Sequence, residues 1–123
     1  MARIFIAATI EDVSYMERIL GAGHELTTVG IMSEAQHKLK EESFDLVMIG
    51  VHFDQSRMFD LLRELHKARY DSTPVICFCT QETMLTRAAH ESIAIASRAL
   101  GAWMYLDYQK YKPKQSWIYD CRS

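Results

Sequence analysis

The sequence predicts a single α/β domain built on a doubly wound, five-stranded parallel sheet with helices on both faces. Three observations carry that fold class. Short continuous apolar runs alternate with amphipathic stretches, the pattern of strands covered on both faces alternating with surface helices. The spacing leaves room for a helix between successive strands, which calls for parallel pairing and right-handed crossovers. A length of 123 residues, 49% apolar and 24% charged, suits one domain with a substantial core.

Ile4 to Ala8 reads as the first strand. Thr9 can cap the helix that follows, with Glu11 and Asp12 in a first turn where the macrodipole favours anions. Val13, Met16 and Leu20 share a face of that helix, and Gly21 and Gly23 end it. Glu25 to Val29 alternates as a second strand. Ser33 and Gln36 form a capping-box pattern ahead of Ala35 and Leu39. Leu46 to Ile49 is apolar throughout, which places it centrally in the sheet.

Met58, Leu61, Leu62 and Leu65 mark one face of a third helix. Pro74 opens a fourth strand, Val75 to Phe78. Thr80 can cap a long fourth helix running to about Leu100 and stopped by Gly101, and Trp103 to Leu106 is a fifth strand. In such sheets the working site lies outside the carboxyl ends of the strands. Those ends are Ala8-Thr9, Gly50, Cys79 and Asp107-Tyr108.

A net charge of −2 argues against a general nucleic-acid or membrane-surface binder. Three cysteines, an odd number, make no disulfide framework and point to a reducing cytoplasm. The apolar run at the start gives way quickly to acidic residues, so it reads as a strand and not as a leader. No stretch approaches the roughly 20 apolar residues a membrane span needs.

The chain resembles a response-regulator receiver domain over roughly residues 2–110. "ARIFIAATIEDVSYMERIL" is similar to that family's first strand and helix, and "FDLVMIG" to the strand carrying its phosphoacceptor. "STPVICFCT" and "GAWMYLDY" are similar to its fourth and fifth strands. The resemblance implies a receiver fold, but the family's reactive residues are replaced. Ala8 and Thr9 stand where two magnesium-holding acids are expected, and Gly50 stands at the phosphoacceptor aspartate. Cys79 falls at the hydroxyl position unless the register slips to Thr80, and Tyr108 replaces the lysine. Phosphoryl transfer of this kind needs an anionic nucleophile, a divalent ion and a cation on the phosphoryl oxygens. All of these charges are missing at the expected positions, so the pocket is expected to be inert, with no metal and no cofactor. Tyr105 matches the family's aromatic switch position.

Other polar residues admit ordinary explanations. Glu11 and Asp12 fit a helix's first turn, and Asp54 and Asp107 read as solvated loop carboxylates beside the sheet edge. His52 is a loop histidine with no identified partner. Cys77 and Cys79 point to one side of their strand and read as small hydrophobes. Gly21 and Gly23 end a helix instead of opening one, so they make no phosphate loop. No serine lies in a nucleophile-elbow context. No residue set supports an enzyme.

Two departures from the family suggest interaction. Between Cys79 and Tyr108 lie 28 residues, about two helical turns more than the resemblance implies. On that helix Leu85, Ala89, Ile93, Ala96 and Leu100 are expected to face the sheet, leaving Met84 and Ile95 as a candidate partner surface. After Tyr108 only 15 residues remain, enough for a truncated last helix from Pro113 with Trp117, Ile118 and Cys121 inward, or for an extended strap. This tail carries +3 against −5 for the rest of the chain, and its mix of basic and aromatic residues makes single-stranded nucleic acid a minor alternative. The expectation is a non-phosphorylatable, cytoplasmic protein-interaction module of bacterial signalling, partnering a signalling protein or a second copy. The alternative is a small-ligand or redox sensor around Gly50, His52 and Cys79.

Overall fold

The computed structural model describes residues 1–67, 72–80 and 86–108, together with the backbone of residues 117–120. The chain runs β1 (Arg3–Ala7), α1 (Ile10–Leu20), β2 (Glu25–Val29), α2 (Met32–Glu41), β3 (Leu46–Gly50), a single turn α3 (Phe53–Ser56), α4 (Met58–Lys67), β4 (Val75–Cys79), α5 (Arg87–Ala99), β5 (Met104–Asp107) and β6 (Trp117–Asp120). The sheet order is β2-β1-β3-β4-β5-β6. The first five strands are parallel, as the sequence predicts.

β6 corrects the reading of the tail. The truncated last helix expected from Pro113 would have placed 117–120 on a helical face; instead this segment pairs antiparallel with β5, Tyr105 opposite Tyr119. Trp117, Ile118 and Tyr119 are residue types that favour strands. β5 would otherwise present an unpaired edge. Cys121 and Pro113 lie outside the described residues.

Each face of the sheet has its own core. One packs α2, α4 and α5 against alternate strand residues, including Phe5, Val47, Ile49, Cys77, Cys79 and Tyr105. The expected stripe of α4, Met58, Leu61, Leu62 and Leu65, is buried there in full. The other face carries Ile4, Ile6, Ala8, Met48, Phe78 and Leu106 beneath Met16 of α1. Among the described residues α1 is the one helix on that side, and Ile76, Met104 and Tyr108 remain half-buried.

Two helix starts differ from expectation. The proposed capping box at Ser33 and Gln36 does not form, because Ser33 is already inside α2 and the N-cap is Ile31, which has no side-chain cap. Asp54 supplies that cap from a distance: its Oδ2 accepts from Met32 N at 2.8 Å. The turn that carries it is unusual, with Asp54, Gln55 and Ser56 at φ of 42°, 58° and 66°. Left-handed non-glycine residues cost of order 1–2 kcal/mol each, so the cap and the Phe53 anchor, fully buried, hold the turn in place. The second difference is α5, which begins at Arg87 and not near Thr80. Thr86 is its cap, Oγ1 accepting from Ala89 N at 3.1 Å. The helix is therefore 13 residues long and not the long helix expected, and Met84 and Leu85 lie outside the described residues.

Candidate functional site

The carboxyl edge on the α1 face is built by β1, β3 and β4. Gly50 closes β3, and Ala8, 1% exposed, follows β1. Thr9 caps α1, its Oγ1 accepting from Asp12 N at 3.3 Å. That cap fixes the first turn and points Asp12 inward, on the same buried stripe as Met16 four residues later. Asp12 is fully buried. Its Oδ1 accepts a hydrogen bond from Thr80 Oγ1 at the exit of β4. Its Oδ2 lies 2.9 Å from the point a Cβ on Gly50 would occupy, and Ala8 Cβ lies 3.2 Å from that same point. A carboxylate is thus present over the end of β3, delivered from the helix and not from the strand.

Asp12 departs from the expectation of a simple first-turn acid at a helix end. At the exit of β4 it is the Thr80 hydroxyl, hydrogen-bonded to Asp12, that reaches this edge. Cys79 is buried in the opposite core layer with Cys77 and Tyr105. Side chains alternate across a strand, so Cys79 and Gly50 do not share a pocket. This corrects their grouping as one candidate site. His52, half-buried just beyond β3, has an enclosed Nε2 with no hydrogen-bond partner among the described residues.

Tyr108 stands just beyond β5, where the resemblance implies a lysine. Its ring packs on Tyr15 at 5.3 Å and edge-on to Phe78 at 6.5 Å. Burial, reinforced by the neighbouring Tyr15, pushes its hydroxyl from 10.0 up to about 12. It is therefore neutral at physiological pH.

The other face holds a second polar cluster. Tyr105 is fully buried, with its Oη 2.7 Å from His90 Nδ1. His90 Nε2 lies 3.5 Å from Asp107 Oδ2, and the His90 and Tyr105 rings stack at 5.8 Å. Asp107 is fully buried, which corrects its reading as a solvated loop carboxylate. His90 also rotates α5 relative to the hydrophobic wheel. The inward positions are His90, Ala94 and Ser97, while Ala89, Ile93, Ala96 and Leu100 flank them half-buried. Ile95 points outward and is 71% exposed.

No family model matches this sequence, and no curated protein matches it. Solved structures do resemble it. The receiver domain of Francisella response regulator 1452 superposes with a TM-score of 0.69 at 17% identity, covering 87% of this chain and 84% of that one. A chemotaxis-regulator-like receiver domain protein from Methanospirillum hungatei gives 0.67 at 20% identity, with 87% and 81% covered. A receiver-domain dimer solved in solution in its beryllofluoride-activated state gives 0.66 at 18%, with 85% and 82% covered. The chain has the receiver fold.

That resemblance implies a magnesium ion at this edge, and the residues present do not fit one. Magnesium demands near-octahedral oxygen ligands and keeps several waters. The described residues around Gly50 offer one buried carboxylate, which is bonded to Thr80 and sealed from solvent. Ala8 and Gly50 carry no side-chain oxygen. Among the described residues no group of three metal-ligating side chains occurs. What the arrangement can do chemically is hold a hydroxyl in a fixed orientation.

Proposed function

We propose that this chain is a non-phosphorylatable receiver-like module that acts through protein–protein contacts in bacterial two-component signalling. The fold supports the setting, since the structures it resembles are receiver domains. The observation that carries the reading is the end of β3. Gly50 offers no acceptor, and the volume an acceptor side chain would occupy is taken by the Asp12 carboxylate. Ala8, Thr9 and Tyr108 add no charge in compensation. The role we assign is non-enzymatic and cytoplasmic. No described helix is long and apolar enough to cross a membrane.

The contact surface we assign is the outer face of α5, where Ile95 stands exposed between the helix ends. The partner is a second copy or another signalling protein, as in the receiver-domain dimer noted above. A sensor built on Gly50, His52 and Cys79 is disfavoured, because Cys79 belongs to the opposite layer.

The test is light scattering over a dilution series, with and without an acyl-phosphate donor and magnesium. Association is expected to be the same in both conditions. Burying a side chain such as Ile95 contributes roughly 1.5–3 kcal/mol, so Ile95→Asp is expected to weaken association about tenfold or more. A gain of one phosphoryl mass with a change in association contradicts the proposal.

A further inference from the structure

We infer that Asp12 and Gly50 are a compensating exchange: the pocket's carboxylate has moved from β3 to α1, and there it positions Thr80. The inference rests on the reading of the pocket as non-phosphorylatable and explains what the pocket does instead.

Three features converge on it. The Asp12 side chain is fully buried at the first turn of α1, an expensive place for a carboxylate unless it is engaged. It is engaged, accepting from Thr80 across 68 residues of sequence. The room it needs exists because residue 50 has no side chain, since a Cβ there would meet Asp12 Oδ2 at 2.9 Å and Ala8 Cβ at 3.2 Å. A separation below 3.0 Å forces something to move. Ala8 is fixed by β1 and by its own N–H bond to Val29 O, so the Asp12 carboxylate is what would be displaced. A side chain at position 50 and the Asp12 carboxylate in its present place therefore exclude each other.

The consequence is a hydroxyl whose partner is built into the chain. Thr80 leaves β4 directly beside the edge, and its orientation is set by a side chain that neither arrives nor leaves. Asp12 is thus a positioning residue, acting through Thr80 on the exit of β4. The state of that exit is independent of any phosphodonor or magnesium.

The test is a double-substitution cycle on the full chain, read by urea unfolding and by the Thr80 γ-methyl resonance. Gly50→Asp alone is expected to raise the unfolding constant at least tenfold, because two carboxylates would compete for one volume. Asp12→Ala alone is expected to do the same and to move the Thr80 methyl signal. The double variant Asp12→Ala with Gly50→Asp is expected to recover to within about threefold of wild type, with the Thr80 signal moved back. Asp12→Asn, which keeps an acceptor oxygen, is expected to leave that signal near its native place. If Gly50→Asp does not fold, Gly50→Ala serves in its stead, with the loss smaller in the Asp12→Ala background than in wild type. Losses that multiply, or a Thr80 signal indifferent to Asp12, overturn the inference. Intact mass after acyl phosphate and magnesium separates the two failures. A phosphoryl group on Asp12 overturns both readings, whereas one elsewhere overturns the non-phosphorylatable reading and leaves the cycle to decide the exchange.

Discussion

The two faces of the sheet treat a buried carboxylate differently. On the face covered by α2, α4 and α5, Asp107 lies 3.5 Å from His90 Nε2, and His90 in turn meets the hydroxyl of Tyr105. On the face covered by α1, Asp12 Oδ1 accepts from the hydroxyl of Thr80. The first is a pair of ionisable groups set among large core side chains. The second is a carboxylate wedged into a gap left by a glycine. Losing Asp107 strands the His90 imidazole inside the core; losing the Thr80 hydroxyl takes one donor from the Asp12 carboxylate. The comparison teaches that Tyr105 is tied down by α5 itself, whereas the pocket edge is tied down by α1.

The largest expected effect falls on the first face. Removing one partner of a buried ionisable pair costs about 3–5 kcal/mol, so Asp107→Ala should lower urea-unfolding stability by that order. Thr80→Val, which removes a single hydroxyl donor from the second face, should cost about 1–3 kcal/mol, the price of a buried acceptor left unmade. A Thr80→Val loss equal to that of Asp107→Ala would break the distinction between the faces.

A smaller effect is confined to alkaline pH. Tyr108 has its folded-state value raised from 10.0 to about 12. For a raised value, the stabilising contribution is fully present below pH 10 and is lost as pH rises through about 12. Tyr108→Phe should remove that alkaline sensitivity and leave stability at pH 7 nearly unchanged. In an ultraviolet titration of the native protein, Tyr108 should give a late step near pH 12, and the variant should lack that step.

Much of this was legible in the residues. The runs at β1, β2, β3 and β4 are apolar or alternating over the right lengths, and the Met58, Leu61, Leu62, Leu65 stripe has a helical period that burial follows closely. The missing charges at Ala8, Gly50 and Tyr108 could also be read one position at a time. What escaped was polar burial. A wheel ranked by hydrophobicity places Asp12 and His90 outward, and only the approach of α1 to Gly50, and of α5 to Tyr105 and Asp107, turns them in. The clue available was positional, since Asp12 lies four residues before Met16 on one face of α1. The tail stayed open between a helix from Pro113 and an extended strap, and the open edge of β5 settled 117–120 as a strand.

The central claim is that the pocket is already filled by its own carboxylate. Its most direct test is the amide NMR spectrum of the wild-type chain titrated with magnesium and beryllofluoride, a mimic of the phosphoryl group. The spectrum is expected to stay unchanged at Ala8, Gly50, Val51 and Thr80 through the titration. Saturable shifts at Gly50 and Thr80 would show that the edge accepts the mimic and would contradict the account.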